Sequence, residues 1–114
     1  PAMTQSGAQW GLARVHGESM QPTLQPRDLL LVKHGATPVE GDLVVVRLPD
    51  HTIAIKRAAF RHGEGWWVSR DNPHRGIDSA NVGEIAVHNV LAVAKARVWP
   101  RPGLVRRRVD PAEA

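Results

Sequence analysis

The sequence predicts a mostly β protein with a single compact domain, and three observations support this prediction. Short runs rich in Val, Ile and Leu recur about every ten residues, and Gly, Pro or Asp residues separate them. The length of 114 residues suffices for one hydrophobic core but not for two. Hydrophobic residues make up 42% of the chain and charged residues 23%, a composition typical of globular proteins and not of disordered ones.

Four segments have the length and composition of β-strands. Each is rich in β-branched residues or leucine and is bounded by turn residues, and the four are residues 29–33, 43–48, 52–57 and 65–69. Residues 84–99 are long enough and contain enough alanine to suggest a helix. Their valines favour two strands or one long bent strand instead.

The pattern divides the chain into three regions. Residues 1–14 are expected to be a lead-in segment that begins with a cloning scar, residues 15–100 the folded domain, and residues 101–114 a basic, flexible tail. No apolar stretch approaches the roughly 20 residues that a membrane-spanning helix needs. We therefore expect a cytoplasmic location, with membrane association as the alternative if an anchor segment has been removed.

The charge and the cysteine content restrict the possible partners. The net charge is +4, and many of the arginines lie in residues 101–114, a run that can contact a membrane surface or an acidic partner but is more often solvated. Without any cysteine, the chain has no disulfide, no thiolate nucleophile and no thiolate metal site. No two histidines have the spacing of metal ligands, so we expect no metal and no other cofactor.

The segment most informative about function is residues 17–24, Gly-Glu-Ser-Met-Gln-Pro-Thr-Leu. Gly17 allows another backbone to come close, and Pro22 fixes the direction of the chain just after Ser19. This pattern favours a loop that presents the serine hydroxyl beside backbone N–H groups, as acyl transfer requires. By itself, the segment also fits an ordinary turn before a strand.

A serine nucleophile needs a general base, and the sequence offers two candidates. His16 lies close to Ser19 in the chain, and residues of a Ser-His-Asp triad can come from anywhere in a sequence. Lys56 stands beside Ile53 and Ile55 in a predicted strand, where it either extends its ammonium group to water or is buried. Burial disfavours the ammonium and can lower a lysine pKa enough to make a base near neutral pH. The residue types alone leave both candidates open.

Taken in order, several motifs resemble those of type I signal peptidases. They span residues 15–100 and are Gly-x-Ser-Met-x-Pro-Thr-Leu, Asp-Leu-Leu-Leu-Val, Gly-Asp-Leu-Val-Val-Val, Ile-Lys-Arg, Asp-Asn, Asp-Ser and Trp-Pro. The resemblance implies a serine protease with Ser19 as nucleophile and Lys56 as general base. It implies a mostly β domain of the signal-peptidase and repressor-peptidase type, here without the large accessory insertion. It also implies that the oxyanion hole and the substrate-binding surface include Gly17, Met20, Ile55 and Asp78.

Four positions depart from the pattern of the family that the chain resembles. Gly76 stands where many members have a serine that hydrogen-bonds the lysine, and Ala80 replaces an arginine that would pair with the aspartate of Asp-Ser. Arg70 replaces the glycine before Asp-Asn. Gly17 replaces a hydroxyl side chain of the oxyanion hole, so the hole would depend mainly on the backbone N–H of Ser19.

Within this superfamily, the short chain, its arginines and its Gly-Trp-Trp-Val run look like the nickel-type superoxide dismutase maturation proteases. That resemblance implies a protein substrate with a short N-terminal leader, which we expect to pair as an added strand with residues 29–32 or 52–56. Signal-peptidase cleavage of secretory preproteins and self-cleavage of a repressor are the alternatives. A non-catalytic domain that binds nucleic acid through Trp66, Trp67 and the tail is less favoured. Adjacent strand residues point to opposite faces, so at least one tryptophan is expected in the core.

Overall fold

The computed structural model describes residues 9–108, which form one antiparallel sheet of eight strands. The strands are Gln9–Arg14 (β1), Leu29–His34 (β2), Leu43–Arg47 (β3), Ile53–His62 (β4), Gly65–Ser69 (β5), Ile85–Ala86 (β6), Val90–Trp99 (β7) and Gly103–Leu104 (β8). A short helix, Ser79–Val82 (α1), precedes β6, and a 3₁₀ turn, Val87–Asn89, follows it. The predicted mostly β class is confirmed.

The order of the strands brings distant parts of the chain together. It runs β1-β2-β7-β3-β4-β5-β6, and β8 pairs with the far end of β7. All neighbouring strands are antiparallel. β7 therefore lies between β2 and β3 and joins the β1–β2 pair to the β3–β4 pair.

The core consists of two hydrophobic clusters, and β3 contributes to both because successive side chains of a strand point to opposite faces. Leu43 and Val45 belong to the first cluster, whereas Val44 and Val46 belong to the second. Burial on both faces explains why this strand is apolar without alternation. Trp66 is buried in the second cluster, so the expectation that at least one of the adjacent tryptophans is a core residue is confirmed.

The predicted strands are confirmed, with one change of length. β4 continues to His62, beyond the predicted end at residue 57, because it forms a hairpin with β5 in which His62 pairs with Gly65. Gly63 makes the turn with a φ of +57°. Residues 84–99 form two strands, β6 and β7, and not a helix. α1 was not predicted, since its four residues are too few to produce a helical period.

The predicted boundaries at both ends require correction. Residues 9–14, predicted as lead-in, form β1 and pair along their whole length with β2. Residues 103–108, predicted as flexible tail, pack against the domain, since β8 pairs with β7 and the Arg108 N–H donates to the Gly41 carbonyl at 3.0 Å. The predicted scar and the residues after 108 lie outside the described residues.

A buried ion pair connects the sheet to the loops around it. Arg57 in β4 is 4% exposed, and its guanidinium donates to Asp71 Oδ2 at 2.6 Å and Oδ1 at 3.3 Å. The same group donates to the carbonyls of Gly41 at 2.9 Å and Arg106 at 3.0 Å. Asp71 also accepts a hydrogen bond from Thr23 Oγ1 at 2.6 Å. This pair therefore ties β4 to several distant segments.

Removing the charge of Asp71 is expected to destabilise the fold strongly. Asp71→Asn leaves Arg57 buried without its counter-ion, and breaking a buried pair in this way costs about 3–5 kcal/mol. The matched control is Glu18→Gln, which breaks the exposed Glu18–Arg75 pair of 3.6 Å and is expected to cost less than about 1 kcal/mol. Urea unfolding measures both free energies of unfolding. Equal losses in the two variants would contradict the role given to the Arg57–Asp71 pair.

Candidate active site

Ser19 lies on the loop that joins β1 to β2. Two backbone hydrogen bonds close the base of this loop: the Val15 N–H donates to the Asp28 carbonyl at 2.9 Å, and the Arg27 N–H donates to the Val15 carbonyl at 2.8 Å. The side chain of Met20, next to Ser19, is buried in the first hydrophobic cluster. The methionine anchors the loop to the core while the serine remains half-buried at the surface.

Lys56 lies in the middle of the sheet, where it pairs with Val44 of β3. It is 3% exposed, which excludes the alternative of an ammonium group extended to water. Burial removes water from the ammonium group and lowers the pKa of Lys56 from its ordinary value of 10.5. The carboxylate of Asp78 opposes this by raising the pKa, and the positive charge of Arg70 lowers it further.

The structure brings Ser19 and Lys56 together, although they are 37 residues apart in the sequence. Lys56 Nζ lies 3.1 Å from Ser19 Oγ, which is within hydrogen-bond distance. His16, the other candidate base, is exposed. Among the described residues, the side-chain partner of Ser19 Oγ is Lys56 and not a histidine.

The Asp-Asn motif after β5 fixes the loop that carries the serine. The Asn72 N–H donates to the Ser19 carbonyl at 2.8 Å, and Asn72 Nδ2 donates to the carbonyl of the preceding residue, also at 2.8 Å. Asp71 binds Thr23 of the same loop and the arginine next to Lys56. The motif therefore fixes the position of the Ser19 hydroxyl relative to β4, the strand that carries the Lys56 amine.

Gly76 packs directly against the serine. Its φ is +95°, and a Cβ at this position would overlap the Cβ of Ser19. A serine at position 76, as in many members of the family that the chain resembles, would not fit this arrangement. The departure at Gly76 therefore has a physical reason, which is the close approach of its backbone to the loop that carries Ser19.

A groove of about 850 Å³ runs beside Ser19 and Lys56. Most of the side chains along it are apolar, and they include Leu12, Val15, Val32, Val45, Leu48, Ile53, Ile55, Ile77 and Leu91. The first half of β4, residues 53–56, pairs with β3 on one side, whereas β5 pairs only with residues further along β4. Within residues 9–108, the second edge of this half-strand has no strand partner and borders the groove.

Of the two runs predicted as possible edges for a substrate, only one has a free edge. Residues 29–32 lie in β2 between β1 and β7, so the prediction is wrong for this run. Residues 52–56 include the open half of β4. The apolar pattern that predicts a strand does not reveal how many neighbours it has, because pairing is a long-range property.

The residues predicted for the oxyanion hole and the substrate surface do not all lie in the groove. Gly17, with a φ of +77°, has open space where a side chain would point, and it lines the groove. Met20 and Ile55 also line the groove and extend into the core beneath it. Asp78 is different, because it caps α1 by accepting a hydrogen bond from the Ala80 N–H at 3.1 Å. Asp78 therefore caps a helix, and it does not belong to the described residues that line the groove.

Sequence analysis singles out Asn72 in the Asp-Asn motif and Gly76 as a glycine in place of a serine, but it gives neither residue a contact with the loop of Ser19, and it misses Ile77. Ile77 is 43% exposed on a loop, where no periodicity marks a residue that borders a groove.

The site combines a hydroxyl, a buried amine and an apolar groove. An amine whose pKa is lowered can accept the proton of a neighbouring hydroxyl, which is the activation that a serine nucleophile needs.

Residues 9–108 contain no group of three or more His, Cys, Asp or Glu side chains able to hold a metal ion. Over the same part of the chain, no helix has the length and apolar character needed to cross a membrane.

Comparison with protein-family models gives a match to the peptidase S24-like family over residues 1–92. A comparison with curated proteins finds no match. The matched range covers most of the chain and includes Ser19, Lys56 and all strands from β1 to β6. A serine peptidase family agrees with a serine hydroxyl held beside a buried amine. The chain belongs to the peptidase S24-like family.

Proposed function

We propose that this protein is a serine endopeptidase that uses Ser19 and Lys56 as a catalytic dyad to remove a short N-terminal leader from a protein precursor. The observation that carries the proposal is the 3.1 Å separation of Ser19 Oγ and the buried Lys56 Nζ beside an apolar groove. The match to the peptidase S24-like family supports the serine-peptidase part of the proposal.

The proposed reaction has two steps. The neutral amine of Lys56 accepts the proton of the Ser19 hydroxyl while Oγ attacks the scissile carbonyl, and the backbone N–H of Ser19 stabilises the oxyanion. Lys56 then gives this proton to the leaving amine, the C–N bond breaks, and an acyl group remains on Ser19. In the second step the neutral amine of Lys56 accepts a proton from a water molecule that attacks the acyl carbonyl. The bond between the acyl carbon and Ser19 Oγ then breaks, Lys56 returns the proton to Oγ, and the acyl group leaves as a carboxylic acid.

An extended substrate would add to the open edge of β4. Its main chain would hydrogen-bond to residues 53–56, and alternate side chains would point into the groove. The apolar walls of the groove favour apolar side chains at the inward positions. Strand addition supplies affinity through the main chain, which suits an enzyme whose oxyanion hole depends on backbone groups and whose rate depends on substrate positioning.

The substrate that we propose first is a nickel-type superoxide dismutase precursor, processed in the cytoplasm. The support for this choice is the sequence resemblance alone. A second candidate is a repressor-type self-cleaving peptidase, which is favoured by the family match because such proteins belong to the same family. Contact of the basic C-terminal residues with a membrane surface or an acidic partner stays a prediction. Two of these arginines, Arg107 and Arg108, already lie beside Asp42 and Asp71.

Changing either member of the proposed dyad is expected to abolish cleavage. Ser19→Ala removes the nucleophile, and Lys56→Met removes the base while it preserves the buried aliphatic volume, so each should lower kcat at least about 10³-fold. Circular dichroism checks that both variants remain folded, and His88→Ala, at an exposed position far along the chain, is the control. A loss with His16→Ala as large as that with Lys56→Met would contradict lysine as the base.

Cleavage is expected to increase with pH through an apparent pKa below 10.5, because only the neutral amine of Lys56 can accept a proton. The free energy of unfolding gives a check on the lowered pKa of Lys56 that does not require catalysis. Between the lowered pKa and 10.5 the unfolded chain binds more protons at Lys56 than the folded protein does, so the free energy of unfolding rises with pH across this window. Lys56→Met should lack this rise. A cleavage rate that is highest in acid would contradict the mechanism.

The substrate is tested by incubation with two purified proteins, a nickel superoxide dismutase precursor and a secretory preprotein. N-terminal sequencing of the products is expected to show removal of the leader from the first protein and slow or no cleavage of the second. Efficient cleavage of only the secretory preprotein would reject the maturation role and keep the dyad. Cleavage of this chain itself, in wild type but not in Ser19→Ala, would favour the self-cleaving alternative.

A further inference from the structure

Arg70 is one of the four departures from the family that this chain resembles, since an arginine stands where a glycine precedes Asp-Asn. It follows directly after β5 (Gly65–Ser69). Its guanidinium group turns towards the loop of residues 73–78, which runs past the serine before α1 begins.

The guanidinium group contacts the loop at three points. Nη1 donates to the Gly76 carbonyl, Nη2 donates to the Pro73 carbonyl at 3.2 Å, and Nε lies 4.0 Å from Asp78 Oδ2. The planar fork of an arginine suits this set of contacts, whereas a lysine ammonium could not reach all of them in a fixed geometry. Two hydrogen bonds of one side chain therefore hold the beginning and the middle of the loop, and its charge lies near the carboxylate at the end.

The middle of this loop is the part that contacts the nucleophile. A Cβ on Gly76 would overlap the Cβ of Ser19, so the backbone that Arg70 binds is in direct contact with the serine. Asp78 at the end of the loop is also the residue that lacks an arginine partner at position 80, where this chain has Ala80. The cation that approaches this carboxylate comes from position 70 instead.

We propose that Arg70 is a positioning residue, which clamps residues 73–78 against the nucleophile loop and thereby holds Ser19 Oγ towards Lys56. This inference rests on the proposed function, because it concerns the efficiency of the same dyad. Arg70 itself does not contact Ser19 and takes no part in proton transfer. It acts through the Gly76 carbonyl, by fixing the backbone that limits where the serine side chain can lie.

The charge of Arg70 also acts on the base. The charged groups that affect Lys56 are Asp78, at the N-terminus of α1, which raises its pKa, and Arg70, after β5, which lowers it. Loss of the Arg70 charge should therefore raise the pKa of Lys56, and loss of the Asp78 charge should lower it. The geometric and the electrostatic effects can be separated, because Arg70→Lys keeps the charge and loses the fork, whereas Arg70→Gln loses both.

The experiment measures acylation of Ser19 by p-nitrophenyl acetate, together with the titration of Lys56 by NMR in a Ser19→Ala background. We expect Arg70→Gln and Arg70→Lys to slow acylation about tenfold or more, since small displacements of reacting groups have effects of this size. The control is Arg61→Gln, at an exposed arginine that stacks on Trp66 at the far end of β4, and it should acylate at the wild-type rate. Thermal unfolding of each variant confirms that it is folded.

The titration has a directional outcome. Arg70→Gln should shift the titration of Lys56 to higher pH, Asp78→Asn should shift it to lower pH while the asparagine still caps α1, and the double variant should lie near wild type but acylate slowly. Acylation of folded Arg70→Gln at the rate of the Arg61→Gln control would overturn the proposal. A further outcome is a wild-type protein that fails to acylate while the titration of Lys56 still shifts in the stated directions. That result would reject Ser19 and Lys56 as a catalytic dyad, but it would keep the placement of Arg70 near Lys56.

Discussion

The buried pair of Arg57 and Asp71 is the interaction on which the geometry of the site depends. Arg57 and Lys56 are neighbours in β4, so their side chains leave the strand on opposite faces. Lys56 points to Ser19, while Arg57 binds Asp71, which accepts a hydrogen bond from Thr23 further along the loop of Ser19. The proposed base and the loop that carries the proposed nucleophile are therefore both held by β4. A buried ion pair contributes little net stability, but it defines relative positions, and here those positions are what the chemistry needs.

Two adjacent cations in β4 differ because their partners differ. Arg57 is buried against a carboxylate and the carbonyls of two distant segments, which satisfy its charge. Lys56 is equally buried but faces a neutral hydroxyl, with Asp78 as a weaker counter-charge, so burial shifts it towards the neutral amine. The free energy that disfavours a buried ammonium is therefore the property that makes Lys56 suitable as a base. A better counter-ion at this position would stabilise the ammonium and weaken the proposed mechanism.

Three of the four departures from the resembled family, those at positions 70, 76 and 80, are related to one another in space. Gly76 has no side chain because its backbone contacts Ser19, and Ala80 offers no cation to the carboxylate of Asp78. Arg70 supplies a cation to that carboxylate and at the same time binds the Gly76 carbonyl. In the sequence these are isolated exceptions to a motif. In the structure they meet around the loop of residues 73–78, which Arg70 binds through the carbonyls of Pro73 and Gly76.

The strands with strong apolar patterns and the mostly β class follow from the sequence, and the order of its motifs singles out Ser19 and Lys56. These are properties of local periodicity, of turn residues and of motif order. β1 escaped prediction because Trp10 and Leu12 lie on its exposed face, so the strand lacks the usual alternation of buried apolar and exposed polar residues. The prediction of a flexible tail is wrong for residues 103–108 because a docked segment rich in arginine has the same composition as a solvated one.

The tertiary structure alone decided which edge of β4 is open, that Asp78 caps a helix, and that Arg70 reaches the loop beside Ser19. Strand pairing and side-chain approach depend on residues far apart in the chain, and a pattern along the sequence carries no information about distances across a sheet.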